Sequence, residues 1–119
     1  MRRAAALLLF ALAALLAGCS EPIPTERKDY AGDWRSRDMR LLITADGRCH
    51  YQRRRDGGAS TSIRAPIQRF EGDNFVVGFG VFTTTFVVSQ PPRLVGGQWK
   101  MTVDGVELTR FSAEDEVSA

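Results

Sequence analysis

From about residue 39 onward the chain alternates apolar and polar residues with a period of two, the signature of half-buried strands. Residues 39–45 place Leu41, Ile43 and Ala45 on one face and Arg40, Leu42 and Thr44 on the other. Asp46 and Gly47 follow, and the next run sets Cys49 and Tyr51 opposite Arg48, His50 and Gln52. Asp-Gly between two alternating runs predicts a hairpin. Asp56, Gly57 and Gly58 end the second arm. Residues 60–70 are β-prone but contain Pro66, which predicts a bend or a sheet edge. After the turn-forming residues 71–74, Phe75, Val77 and Phe79 share a face. Beyond Gly80, Phe82, Thr84, Phe86 and Val88 lie opposite Val81, Thr83, Thr85 and Val87. Gln90, Pro91 and Pro92 read as a stop. Trp99, Met101 and Val103 then alternate with Lys100 and Thr102, Asp104 and Gly105 make another hairpin turn, and Val106, Leu108 and Arg110 alternate with Glu107, Thr109 and Phe111.

Seven or eight short strands at this spacing predict an all-β domain. It is either a small antiparallel up-and-down barrel or a two-sheet sandwich. The phenylalanine and valine pairs are assigned to its core, with a groove lined by residues 75–86 as the alternative. The domain spans residues 30–111. Residues 19–29 are polar, carry Pro22 and Pro24, and read as an extended tether. Residues 112–119 are small and acidic and read as a frayed tail. Ahead of these, Met1, Arg2 and Arg3 precede an apolar run, residues 4–16, that is helical in character. A spanning helix needs about 20 apolar residues, so residues 1–18 match a cleavable signal peptide instead.

Leu16, Ala17, Gly18 and Cys19 resemble the lipobox of bacterial lipoproteins. The resemblance implies cleavage between Gly18 and Cys19, diacylglycerol on the Cys19 thiol and acylation of the new amine. Two or more acyl chains hold a protein stably on a membrane. Ser20, next in sequence, implies sorting to the periplasmic face of the outer membrane in the cell envelope. A second resemblance rests on Gly32, Asp33 and Trp34. They are similar to the G-x-W that opens the first strand of lipocalin-like β-barrels, where a late basic residue packs across the indole. On that resemblance Trp34 closes the barrel floor and Arg110 stacks on it. About 80 residues make a narrow barrel filled by its own side chains, so no ligand pocket carries over.

Removing the signal changes the charge. The chain carries 16 Lys+Arg against 14 Asp+Glu, and Arg2 and Arg3 leave with the signal. The mature chain is then near neutral, which removes the global electrostatic case for nucleic acid. Of the two cysteines, lipid on Cys19 leaves Cys49 without an intrachain partner. It reads as a small core hydrophobe, with an intermolecular disulfide or a reactive thiol as alternatives. His50 is the only histidine, and on a strand it points away from Cys49 and into solvent. A metal site from one histidine and scattered acids has no support. Gly78 and Gly80 flank Phe79 with no following helix, so they are not a phosphate loop. No serine-histidine-acid set is evident. The expectation is a protein without enzymatic activity, cofactor or metal.

One local charge feature stands out. Arg48, Arg53, Arg54 and Arg55 lie on or just after one hairpin arm and Arg64 on the next stretch. Guanidinium forks suit phosphate and carboxylate, so this patch is a candidate for an anionic envelope partner, a protein or a glycan. A solvated, edge-protecting strand is the alternative. The expected function is a lipid-anchored binding or structural domain. The second reading is a periplasmic inhibitor of a lysozyme-like hydrolase, acting through a loop at residues 56–60 or 90–97.

Overall fold

A computed structural model of the protein describes residues 20–112. The expected signal peptide with Gly18, the lipidation candidate Cys19 and residues 113–119 lie outside them. The alternation seen in sequence folds into nine antiparallel strands among the described residues. They are β1 (Gly32–Arg35), β2 (Met39–Ile43), β3 (Arg48–Arg54), β4 (Ser60–Glu71), β5 (Asn74–Phe79), β6 (Phe82–Phe86), β7 (Val88–Val95), β8 (Gln98–Val103) and β9 (Val106–Phe111). They form one curled sheet in the order β6-β5-β4-β3-β2-β1-β9-β8-β7, a half-barrel.

Turn chemistry sets the hairpins. Asp104 and Gly105 both have positive φ, 48° and 80°, the arrangement of a two-residue type I′ turn whose twist matches the flanking strands. Between β2 and β3, Thr44 N–H donates to the Arg48 carbonyl and Gly47 N–H to the Thr44 carbonyl, at 2.9 and 3.0 Å. With Gly47 at φ 89°, this is the three-residue loop ending in a left-handed glycine.

None of the three prolines in this part of the sheet ends a strand. Pro66 does not break its strand. Residues 60–66 of β4 pair with β3, and β4 pairs with β5 from Ile67 onward. Pro66 therefore sits where β4 changes partner, and a register irregularity follows between Ile67 and Arg69. Pro91 and Pro92, read as a stop, lie inside β7. This strand pairs with β8 alone and forms one end of the sheet, with register shifts around the prolines. An edge strand tolerates proline because a missing N–H on its outer side breaks no ladder bond. This strand is the one the sequence reading missed.

The two end strands, β6 and β7, are consecutive in the chain and joined through Val87 alone. They share no ladder. Val87 N–H donates to Asp104 Oδ1 at 2.9 Å, Asp104 N–H returns to the Val87 carbonyl at 2.8 Å, and Val88 N–H donates to Asn74 Oδ1 at 2.8 Å. These bonds hold the link between the two edges against the rest of the sheet.

The concave face is filled by side chains. Trp34, Leu41, Ile43, Cys49, Phe75, Phe86, Met101, Val103 and Leu108 are all fully buried. Phe75 stacks on Phe86 at 5.1 Å between centroids, and Tyr51 meets Phe86 edge-on at 5.0 Å. Part of the apolar assignment is overturned. Phe79, Val81 and Phe82 are 56, 89 and 83% exposed. Phe79 and Phe82 face each other across the β5–β6 turn, at a tip beyond the region the core covers. Alternation identifies the face a residue shares, not how far the opposing layer extends over it.

The polar segment ahead of β1, expected as an extended tether, is docked. Thr25–Tyr30 is a 3-10 helix whose Tyr30 is buried. Tyr30 meets Phe70 edge-on at 5.1 Å and its hydroxyl donates to the Asp73 carbonyl at 2.8 Å. Arg27 lies over the Phe70 ring at 5.3 Å. Ile23 N–H donates to the Ala45 carbonyl at 3.1 Å, and Ser20 Oγ donates to the Asp46 carbonyl. Burial of Tyr30 and partial burial of Ile23 offset the ordering of these residues.

Gly47 makes this docking possible. A β-carbon there would run into the Glu21 carbonyl, and φ is 89°. Gly47→Val is therefore expected to destabilise the domain by about 1–3 kcal/mol and to expose the bonds around residues 20–27 to rapid proteolysis. Limited proteolysis with mass spectrometry reads the second effect. An unchanged digestion pattern at residues 20–27 would refute it.

Candidate functional site

The curl of the sheet brings two hairpin ends together at one end of the half-barrel. Arg35 and Arg40 face each other across the β1–β2 pair, and Met39 pairs with Arg53 across β2–β3. Arg54 N–H donates to the Asp38 carbonyl at 2.8 Å, tying the β3 end to the β1–β2 turn. The result is a cleft of about 480 Å³ lined by Arg35, Arg37, Arg40, Arg53 and Arg54, one carboxylate, Asp38, and the hydroxyl residues Ser36, Ser60, Thr61 and Ser62. Arg55 flanks it and joins Arg37, Arg53 and Arg54 around a neighbouring hollow.

Asp33 organises part of this rim. Its carboxylate accepts both arms of Arg35, at 3.2 and 2.7 Å, and both arms of Arg40, at 3.0 and 2.9 Å. Burial pushes the Asp33 carboxyl up, but the hydrogen bonds and positive charge of Arg35 and Arg40 together outweigh it and hold the group below its usual value. Two forks on one carboxylate show the bidentate geometry that arginine favours. Among the described residues no ion pair joins Arg37, Arg53, Arg54 or Arg55 to a carboxylate. None of these four guanidiniums is neutralised by a carboxylate there, and Arg55 Nε–H donates to Thr61 Oγ1 at 3.4 Å. Beside them the connection between β3 and β4 stands clear, with Gly57 and Gly58 at φ 84° and 88° and open space around both.

The arginines grouped from sequence do not form one patch. Arg53, Arg54 and Arg55 belong to the rim. Arg48 begins β3, six residues from Arg54, and pairs with Pro66, which puts it roughly 20 Å away at about 3.3 Å per residue. Arg64 pairs with His50 across β3–β4 and lines a hollow next to the rim together with Arg40, Gln52 and Ser62. His50 is half-buried, with Arg40, Leu42 and Gln52 around it. Arg35, Arg37 and Arg40 were missed. Their density over six positions of sequence was the available signal, but only the pairing of β1, β2 and β3 joins them to Arg53 and Arg54.

Trp34 and Arg110 are direct cross-strand partners. Trp34 is fully buried and its Nε1–H donates to the Tyr30 carbonyl at 2.9 Å. The Arg110 guanidinium carbon lies 5.7 Å from the Trp34 ring centroid and 4.7 Å from that of Trp99. Gly32 leaves the space the Arg110 stem occupies, since a β-carbon there would collide with it. Cys49 is the free cysteine of the described residues, and burial pushes its thiol up to about 12. Among the described residues no three His, Cys, Asp or Glu side chains are arranged to hold a metal ion.

Comparison with known proteins gives no match: no family model, no curated protein and no solved structure is significantly similar to the chain.

Proposed function

We propose that this protein is a lipid-anchored lipoprotein of the cell envelope, held at the periplasmic face of the outer membrane through Cys19. Its half-barrel is a non-enzymatic binding domain. The observation that carries the binding role is the arginine rim, with four guanidiniums that have no carboxylate partner among the described residues and with hydroxyls beside them. Such a surface recognises phosphate or carboxylate groups, which envelope glycans and peptidoglycan peptides carry. The Trp34–Arg110 pairing supports a lipocalin-like origin for the half-barrel, while its packed concave face argues against carriage of a small apolar ligand.

The anchor is tested by metabolic labelling with a palmitate analogue. The chain takes up label, and Cys19→Ala abolishes it. The rim is tested by co-sedimentation of the lipoprotein with purified lipopolysaccharide, intact and dephosphorylated. Charge reversal of Arg37, Arg53 and Arg54 to glutamate is expected to weaken binding about tenfold or more, as does raising the salt. Equal binding by the reversed variant would remove the rim from the function.

Inhibition of a lysozyme-like hydrolase is the second reading, supported by the exposed connection at residues 55–59 beside the rim. Glycoside hydrolases carry a pair of carboxylates in the cleft, which a basic rim complements. Inhibition of lysozyme by the parent chain, lost in the charge-reversed variant, would favour this reading over a glycan partner.

A further inference from the structure

The arginine rim occupies one end of the β3–β4 pair, and a different surface occupies the other. Ser20 is held there through its bond to the Asp46 carbonyl. Together with Phe79 and Gly80 it lines a shallow cleft of about 300 Å³. The adjoining β5–β6 tip presents Phe79, Val81 and Phe82 to solvent. Gly80 at φ 57° turns the chain there, and the Gln68 side-chain amide donates to the Gly80 carbonyl at 3.0 Å. Gly78 lets the two strands cross closely, because a β-carbon there would run into the Phe82 carbonyl. The tip is thus a fixed hairpin end, not a fold defect.

We infer that the Phe79, Val81 and Phe82 tip inserts into the lipid surface beside the acylated N-terminus. The inference rests on the lipid anchor proposed above. Cys19 directly precedes Ser20 in sequence, so a lipid on it is tied covalently to this end of the sheet. Acyl chains on Cys19 enter the bilayer next to the tip. Exposed apolar clusters of this kind mark interaction surfaces, and an apolar group at a membrane interface gains from burial in the headgroup and acyl boundary. The registers also place the β7–β8 turn, with exposed Leu94 and Val95, at the end of the sheet that carries Ser20. The anchor alone fixes no orientation; anchor and tip together do.

The test uses the full chain, processed in cells and reconstituted in phosphatidylethanolamine–phosphatidylglycerol vesicles. Val81→Cys or, as control, Ala59→Cys is labelled with pyrene; Cys49 is fully buried. Nitroxide-bearing lipids are expected to quench the label at position 81 and leave the label at position 59 unaffected. Palmitate uptake is measured on the same preparations. Palmitate uptake with an unquenched label at position 81 would overturn the inference and leave the anchor standing. A quenched label in a chain without palmitate would overturn the anchor and leave the tip contact standing. Excimer emission without quenching would show a second copy on the tip and would also overturn the inference.

Discussion

Trp34→Ala is expected to cost about 3–5 kcal/mol, the range for deleting a large buried aromatic. Small domains have roughly 5–15 kcal/mol in total, so the variant will be largely unfolded or unfold at low denaturant. Three losses coincide. The indole sits at zero exposure on β1, between β2 and β9. The Tyr30 carbonyl loses the Nε1–H donor that joins the N-terminal segment to the sheet. Arg110 loses one of the two rings it lies over. Trp34→Phe separates these, because it keeps most of the apolar volume and removes the donor; about 1–3 kcal/mol is expected for that variant. Arg110→Ala is expected to cost less, about 0.5–2 kcal/mol, since its cation–π contacts are partly solvated. Urea unfolding followed by far-UV circular dichroism gives all three values. A Trp34→Ala loss under about 1 kcal/mol would mean that the half-barrel does not depend on this corner.

The order of these effects follows features that were visible in sequence. Gly32, Asp33 and Trp34 marked the first strand, and Arg110 its late partner, because local spacing and one family pattern carry that information. The hairpins at Asp46 and Gly47 and at Asp104 and Gly105 were legible for the same reason: a turn is a local object with its own residue chemistry. So were the buried faces of β2, β3 and β8. What failed depended on neighbours. Pro91 and Pro92 forbid a central strand but not an edge strand, and position in the sheet is not a local property. Phe79 and Phe82 follow the same alternation as Phe75 and Phe86, yet their tip lies beyond the opposing layer. The arginine rim failed in both directions. Arg48 is close to Arg54 in sequence but displaced along the strand, while Arg35, Arg37 and Arg40 arrive through strand pairing, which also sets Arg64 beside Arg40. A site built by strand pairing can be read only after the pairing is known.

Cys49 gives the other large effect, and it is one of pH. The thiol has zero exposure and sits between Ile43 on β2 and Ala65 on β4, both buried. Desolvation disfavours its charged form and raises it from 9.0 to about 12. The folded state therefore holds the proton more tightly than the unfolded chain. Its contribution is complete below about pH 9 and is lost as pH rises from there towards 12, amounting to about 4 kcal/mol over that window. Tyr30 is also raised, chiefly by burial, and adds a slope of the same sign. Comparison with Cys49→Ala isolates the thiol. Urea midpoints of the two chains are expected to keep a constant difference up to about pH 9 and then converge or cross, because only the parent must unfold to ionise this group. Parallel profiles through pH 11 would refute the assignment. The same burial protects the thiol kinetically. A thiol-disulfide reagent at pH 8 is expected to modify Cys49 only as fast as the domain opens, and reaction at the rate of a free thiol would show that the β2–β3–β4 layer is not closed over it. At the oxidising envelope location proposed above this protection would matter, since a reactive thiol on β3 would form mixed disulfides. Burial against Ile43 and Ala65 thus serves both the packing of the core and the chemical inertness of its cysteine.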